Sequence, residues 1–155
     1  MNMKRTKENE SVDILSSARF EKAGTVTHHI TGNVAEHSRN TAEYGRRMCE
    51  WLNRHGIDVS EEDVVQACLL HDIGMTEDRV HDSAGWRKAF WHPRKGARIA
   101  RDEYHVNKVQ YNAIKRHMWP ICIIPPRYKE GWVVMAADKY CSIRELSRKR
   151  KMLRP

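Results

Sequence analysis

Apolar residues recur at intervals of three and four along most of the chain, a spacing that predicts amphipathic α-helices. A first segment covers about Asp13–Ala23 and ends where a glycine follows. Asn33 can cap a longer second helix that runs to about His55, with Gly56 as its stop. One face of this helix is predicted to carry Val34, His37, Thr41, Tyr44, Met48 and Trp51 or Leu52. His37 therefore shares a face with core residues.

The third predicted helix is apolar on almost every side, which is typical of a helix buried at the centre of a fold. It begins at Ser60, which has the form of a capping box with Asp63. Its apolar run, VVQACLL, leads directly into His71 and Asp72, and Gly74 offers a natural terminus.

The second half of the chain predicts a long loop and three further helices. The loop covers about Thr76–Trp91, with room for one helical turn. The next helix opens at His92 and Pro93, because proline is favoured in a first turn. Another helix ends over Tyr111–His117, and a last one spans about Lys129–Arg148. No segment alternates like a strand between hairpin turns, so the sequence predicts an all-α bundle of about six helices.

Length and composition set the domain organisation and the class of protein. The 155 residues, 40% of them apolar, suit a single domain over 1–155 with one core. No apolar run approaches the ~18–20 residues that span a bilayer, and the N-terminus lacks the apolar region of a secretory signal. We therefore expect a cytoplasmic protein without a membrane partner.

The chain is basic, with 28 Lys and Arg against 20 Asp and Glu and a net charge of +8. Such a charge favours anionic partners, among them phosphorylated metabolites and nucleic acid. One basic group lies in mid-chain and a second at the C-terminus, where residues 148–155 form a basic tail. For the tail alone, a solvated helix end explains the charge as well as a ligand does. The mid-chain group consists of Arg87, Lys88, Arg94 and Lys95.

The four cysteines, Cys49, Cys68, Cys122 and Cys141, lie far apart and form no paired motif. Without an export signal disulfides are not expected, and the spacing does not suit a thiolate zinc site. We interpret these cysteines as small buried hydrophobic residues.

Three predicted helices each carry an inward-facing His or Asp. His71 and Asp72 follow the apolar run directly, His37 lies on the core face of the second helix, and Asp138 occupies the core face of the last. Any one of them alone would be a satisfied core polar group or a solvated helix end. Burying charge in this way is costly unless it is paired, and a divalent cation is an obvious partner. Imidazole and carboxylate ligands suit Fe, Mn, Zn, Co or Ni, and bundles build metal sites from facing helices.

The order of these residues, in the contexts AEHS, LLHDIG and AADK, resembles the HD-domain phosphohydrolase superfamily. The resemblance covers about residues 20–147, which we expect to be the domain core. It implies a metal-dependent hydrolase with His37, His71, Asp72 and Asp138 on one metal.

Two further histidines extend the resemblance to a binuclear subgroup. His92 and His117 stand at similar positions to its two extra histidines, which implies a second metal bridged by Asp72. The alternative is that His92 and His117 contact substrate phosphate directly beside one metal. The cofactor is thus one or two divalent transition metals, Fe or Mn first, with Zn, Co, Ni and Mg as alternatives.

The sequence departs from that subgroup at Met75, where many binuclear relatives carry a lysine in HDxGK. The cation expected to contact phosphate must then come from elsewhere, so substrate identity does not transfer from those relatives. The candidates for substrate binding are Arg87, Lys88, Arg94, Lys95 and Lys139.

The hypothesis for function is hydrolysis of a phosphate ester or anhydride, in a nucleotide, by attack of a metal-bound hydroxide. Asp72 would hold the metal and orient the water, and His92 or His117, if free of metal, would protonate the leaving group. No P-loop and no GxSxG motif supports another mechanism. The alternatives are a nucleotide- or nucleic-acid-binding module with a structural metal, and a di-iron oxygenase of the HD type.

Two other sets of residues carry weaker expectations. His28 and His29 stand together in a predicted loop, where surface placement is expected. Trp86 and Trp91 flank the mid-chain basic group. Core packing is their default role, and a base-stacking or lid role is the alternative.

Overall fold

The computed structural model describes residues 14–28, 32–77 and 85–152, without the side chain of Trp86. Its helices are α1 (Ala18–Ala23), α2 (Val34–Arg54), α3 (Glu61–Leu70), α4 (Gly85–Tyr104), α5 (Lys108–Arg116) and α6 (Lys129–Met152). A 3-10 helix, Ile73–Thr76, follows α3. The two-residue strands β1 (Thr27–His28) and β2 (Gly32–Asn33) pair antiparallel. The predicted all-α class is confirmed.

Helix α3 is the centre of the bundle, as its apolar sequence predicts. It packs against α2, α4, α5 and α6, and Val64, Ala67, Cys68 and Leu70 along it are fully buried. Because α3 stops at Leu70, the residues that follow it emerge in the middle of the fold rather than at its surface. The His71-Asp72 pair is therefore surrounded by neighbouring helices.

The predicted ends of α2 are confirmed. The Asn33 side chain accepts a hydrogen bond from the Glu36 backbone N–H at 2.9 Å, which satisfies one of the free N–H groups of the first turn. The helix stops at Arg54, and Gly56 follows with a φ of 81°, a conformation that glycine adopts without strain.

The capping box predicted for α3 forms only in part. Ser60 accepts from the Asp63 N–H at 3.3 Å, but the Ser60 N–H donates to Glu130 of α6 rather than to Asp63. The Asp63 carboxylate instead accepts hydrogen bonds from Asn107 and Gln110 at the start of α5. The start of α3 is thus tied to two neighbouring helices.

The predicted start of α4 at His92 and Pro93 is wrong, because the helix begins at Gly85 and Pro93 lies inside it. Proline lacks the N–H that would bond the carbonyl four residues earlier, which belongs to Ala89. The Cys122 thiol contacts that carbonyl at 3.6 Å and compensates for the missing donor. Of the predicted loop, residues 78–84 lie outside the described part of the chain.

Helix α6 continues to Met152, past the predicted end at Arg148. As predicted, Val134, Asp138 and Cys141 lie on one buried face of it. Cys49 and Cys68 are buried as well, whereas Cys122 is half-buried, and all four thiols are free. Among the described residues no helix is both long and apolar enough to cross a bilayer.

A close backbone approach holds the turn after α3 against α4. A Cβ atom built on Gly74 would lie 2.1 Å from the His92 carbonyl oxygen and 2.5 Å from the Gly96 nitrogen. Only glycine fits there, so Gly74 fixes the distance between the His71-Asp72 turn and His92.

We expect Gly74→Ala to lower the free energy of unfolding by about 3 kcal/mol, because the methyl group would force two backbone segments apart. Gly85→Ala is the matched control, since its Cβ would meet nothing within 4 Å. Urea unfolding of both variants and the wild type measures the difference. Equal stability of the two variants would contradict this prediction.

Candidate metal centre

Six side chains predicted from the sequence converge at the centre of the bundle. They come from α2, from the residues that end α3 and α5, from α4 and from α6. All are at most 6% exposed. They are His37, His71, Asp72, His92, His117 and Asp138.

Four of them form one group, here called cluster A: His37, His71, Asp138 and the Oδ2 atom of Asp72. The Asp138 Oδ1 atom lies 3.1 Å from His37 Nε2 and 3.6 Å from His71 Nε2. The Asp72 Oδ2 atom lies 3.4 Å from His71 Nε2 and 4.0 Å from His37 Nε2. Residues separated by a hundred positions in the chain are thus close enough to share one coordination sphere.

The remaining two histidines and the other oxygen of Asp72 form cluster B. Asp72 Oδ1 lies 3.1 Å from His92 Nε2 and 3.4 Å from His117 Nε2. The two imidazole Nε2 atoms are 3.1 Å apart. Asp72 therefore stands between the clusters and faces each of them with one oxygen.

Backbone hydrogen bonds orient three of these imidazoles. The Nδ1 atoms of His71, His92 and His117 lie 2.7, 2.6 and 2.7 Å from backbone carbonyl oxygens three or four residues earlier. Because a carbonyl oxygen only accepts, each Nδ1 must carry the proton. The Nε2 atoms are then directed into the clusters, where a neutral ring in this tautomer can bind metal.

The donor set fits divalent cations in both clusters. His71 Nε2 is buried, and no atom of the described residues meets hydrogen-bond geometry with it. In cluster B, the Nε2 atoms of His92 and His117 face each other with lone pairs directed inward, an arrangement that requires a cation or proton between them. These groups of buried His and Asp can hold metal ions, and their nitrogen and oxygen donors suit borderline or hard divalent metals.

Buried carboxylates set the electrostatics of the centre. Burial alone would raise the pKa of Asp72 and Asp138, but nearby imidazoles hold both well below the ordinary value. Burial alone would lower the pKa of His37, yet hydrogen bonds to Asp138, Cys141 and Glu145 raise it to about 12. Burial likewise opposes the charge on His71, but Asp72 and Asp138 raise its pKa to about 9. Asp72 and Asp138 are therefore ionised, and positive charge next to them is stabilising.

His117 is the exception among these histidines. Burial lowers its pKa to about 4, reinforced by the neighbouring His71 and His92 and only partly opposed by a hydrogen bond to Asp72. Its ring is therefore neutral near neutral pH, which leaves a lone pair available to a cation.

The sequence analysis missed Glu145, which orients His37. Its Oε2 atom lies 3.0 Å from His37 Nδ1, so the carboxylate accepts from the side of the ring that faces away from cluster A. Burial opposes its ionisation, but bonds to His37, Cys141 and Asn40 lower its pKa to about 2. A carboxylate behind a ligating histidine is the usual support for a metal ligand. Its spacing of seven residues from Asp138, two helical turns, is a signal that could have identified it.

The expected surface placement of His28 is wrong. Its side chain is 4% exposed, and its ring stacks on His37 with centroids 3.8 Å apart. Its Nε2 atom lies 3.0 Å from Asp72 Oδ2. The pairing of β1 with β2 places His28 beside Asp72. The sequence predicts a loop at this point and gives no sign of that contact. His29 lies outside the described residues.

The basic candidates for substrate binding fall into two places. Lys139 lies at the edge of the centre, where its Nζ donates to Asp138 Oδ2 at 2.8 Å and to the His117 carbonyl at 3.2 Å. The other four lie on α4, the helix of His92. Lys88 and Lys95 are half-buried and stand four residues before and three after His92, whereas Arg87 and Arg94 are exposed.

Trp91 precedes His92 on α4 and is not a core residue. Its side chain is 52% exposed, so the default of core packing does not hold for it. The side chain of Trp86 is outside the described part of the structure, so its role stays a prediction. Trp119 and Trp132 instead pack edge to face with each other, at a centroid distance of 5.1 Å.

We expect metal uptake by metal-free protein near neutral pH to release about two protons per chain. The raised pKa values of His37 and His71, about 12 and about 9, keep both rings protonated at that pH, and ligation needs their lone pairs. Apparent metal affinity should therefore rise from neutral pH through about pH 9. Calorimetry in two buffers of different ionisation enthalpy measures the release, and binding without proton release would contradict the expectation.

Comparison with known proteins places this centre in a family. Residues 34–143, more than half of the chain, match the family model described as HD domain. Comparisons with curated proteins and with solved structures give no significant match. The matched range contains all six converging residues, the adjacent His71-Asp72 pair among them. The chain therefore belongs to the HD domain family, whose members are generally metal-dependent phosphohydrolases.

Proposed function

We propose that the protein hydrolyses a phosphate ester or anhydride of a nucleotide at a centre of two divalent transition metals. The observation that carries the proposal is the position of Asp72, whose two oxygens face two separate sets of imidazole nitrogens. Two cations that share one carboxylate form a clamp suited to the attacking and leaving oxygens of phosphoryl transfer.

In this proposal cluster A and cluster B each hold one metal, with Asp72 as the bridge. Fe and Mn are the first candidates, because mixed imidazole and carboxylate ligands suit them. When bound, such metals lower the pKa of a water and neutralise charge on phosphoryl oxygens. The remaining steps fall to the residues of the chain.

The chain's own residues position the reactants. Glu145 and the backbone carbonyls hold the imidazole rings at fixed angles, so the substrate meets a preorganised centre. Lys139 covers one oxygen of Asp138 and leaves the other facing cluster A. The Nε2 atoms of His92 and His117 are directed at Asp72, so in this proposal both histidines serve as metal ligands. They could protonate a leaving group only if the centre held one metal and left them free.

The surface of α4 supports a nucleotide as the substrate. Trp91 offers an exposed aromatic face directly beside His92, and aromatic faces stack on bases. Lys88 and Lys95 flank His92 on the same side of the helix, where ammonium groups can bind further phosphates. One helix thus combines a metal ligand, phosphate-binding cations and a stacking surface.

We expect Asp72→Asn to reduce hydrolysis at least about a thousandfold, a loss of about 4 kcal/mol in transition-state stabilisation, because the bridge loses its charge. The control is Asp102→Asn, an exposed aspartate whose carboxylate bonds Arg101. Phosphate release is measured with Mn²⁺ or Fe²⁺ on mononucleotides, cyclic dinucleotides, dinucleoside polyphosphates and alarmones. Both variants should fold like the wild type by circular dichroism.

Three outcomes of that assay would contradict the proposed function. Absence of turnover on every substrate, together with salt-sensitive binding of RNA or DNA, would favour a binding module. Activity that requires oxygen would favour an oxygenase. Equal activity of Asp72→Asn and Asp102→Asn would remove Asp72 from the reaction.

We expect Trp91→Ala to raise KM for the best nucleotide about tenfold while leaving kcat within about twofold, since stacking on the base contributes about 1–3 kcal/mol. KM for p-nitrophenyl phosphate, which has no base, should not change. Trp51→Ala is the matched control, because Trp51 is also exposed but lies on α2 away from both clusters. Unchanged KM for the nucleotide in Trp91→Ala would remove Trp91 from substrate binding.

A further inference from the structure

We propose that His28 is an additional metal ligand that completes cluster A. His28 precedes α2 and stands outside the set of residues that the sequence analysis assigned to metal. The inference rests on the proposed function, because it adds a ligand to the same two-metal centre.

The β1–β2 pair holds His28 at the centre. His28 is aligned with Gly32, and Thr27 with Asn33, the residue that caps α2. A backbone bond from the Val34 N–H to the Val26 carbonyl, 3.0 Å long, continues the pairing into the helix. The strand that carries His28 is thus fixed to the first turns of α2, from which His37 projects into cluster A.

The position of the His28 Nε2 atom suits a ligand of the cluster A cation. Two donors about 2.1 Å from one cation lie about 3 Å apart when adjacent and about 4 Å apart when opposite. Asp72 Oδ2 lies 3.0 Å from His28 Nε2, 3.4 Å from His71 Nε2 and 4.0 Å from His37 Nε2. These separations match two neighbouring imidazoles and one opposite imidazole around a shared ion.

The surroundings of Asp72 support the same assignment. His28 and His37 stack with an angle of 16° between their planes, so one ring must tilt before both in-plane Nε2 lone pairs can reach a shared ion. Asp72 is surrounded by the Nε2 atoms of His28, His71, His92 and His117 at 3.0, 3.4, 3.1 and 3.4 Å. At least three of those rings carry their proton on Nδ1, so their Nε2 atoms present lone pairs to the carboxylate unless positive charge lies between.

The extra ligand makes the two metal positions unequal. An octahedral cation has about six positions, so cluster A would keep about one free and cluster B about three. A metal in cluster A would then bind more tightly and exchange more slowly than one in cluster B. The donors of cluster A become His28, His37, His71, Asp72 and Asp138, and those of cluster B remain His92, His117 and Asp72.

The test compares the wild-type chain with the variants His28→Gln and His55→Gln, each loaded with Co²⁺. Glutamine can still donate a hydrogen bond to Asp72 but supplies no imidazole nitrogen, so the variant separates ligation from hydrogen bonding. His55 is an exposed histidine at the end of α2 and serves as the matched control. Proton NMR counts the exchangeable, paramagnetically shifted imidazole N–H signals, elemental analysis counts the metal, and competition with a chelator measures affinity.

We expect five shifted imidazole signals in the wild type and in His55→Gln, and one fewer in His28→Gln. The tighter of the two cobalt affinities should fall at least about tenfold in His28→Gln and stay unchanged in the control. Equal signal counts in all three proteins, with affinities within about threefold, would overturn the assignment.

The outcomes separate this inference from the proposed function. A wild type that holds two cobalt ions and hydrolyses nucleotides, with only four shifted signals, retains the function and loses the role of His28. A wild type that binds no metal overturns both. If His28→Gln does not fold, the wild-type count decides, because five signals require His28 among the ligands and four exclude it.

Discussion

The buried charge of Asp72 is the constraint on which the rest of the structure depends. A carboxylate that is 3% exposed in an apolar bundle costs several kcal/mol unless positive charge compensates for it. The bundle surrounds this carboxylate with imidazole groups from the ends of α3 and α5, from α4 and from the strand before α2. Asp72 lies at the centre because it follows the buried apolar helix α3. The same segment of the sequence therefore supplies both the middle of the hydrophobic core and the central carboxylate.

At two of these histidines, the same hydrogen bond caps the helix end and orients the imidazole ring. His71 and His117 follow the last residues of α3 and α5, where backbone carbonyls lack helical partners. Each ring donates its Nδ1 proton to the carbonyl three residues earlier, which satisfies that carbonyl and directs Nε2 inward. A substitution that kept the helix end but moved the ring would therefore lose both the cap and the inward-facing Nε2 atom, so these histidines are constrained twice.

Local rules explain how much of this could be predicted. Some features depend only on spacing along one helix, and the structure places them as expected. They are caps such as Asn33 and the polar residues on apolar helix faces, His37 and Asp138. His28 and the interior Pro93 depend on partners distant in the chain, namely the register of β2 and the thiol of Cys122. Periodicity carries no information about such partners. Glu145 could be predicted only in part. Its spacing from Asp138 indicates the helix face on which it lies, but its partner His37 lies on another helix.

Met75 shows where the chain's specificity must come from. The resemblance to binuclear HD proteins would place a lysine where this chain has Met75, whose side chain is 5% exposed and belongs to the core. A lysine ammonium at that point would be buried, and the compensating cation cannot simply be Lys139, whose Nζ is already bonded to Asp138 and the His117 carbonyl. The remaining cations lie on α4, beside the exposed Trp91. Under the proposed function, substrate choice follows the surface of α4 and changes with it, while the buried centre stays the same.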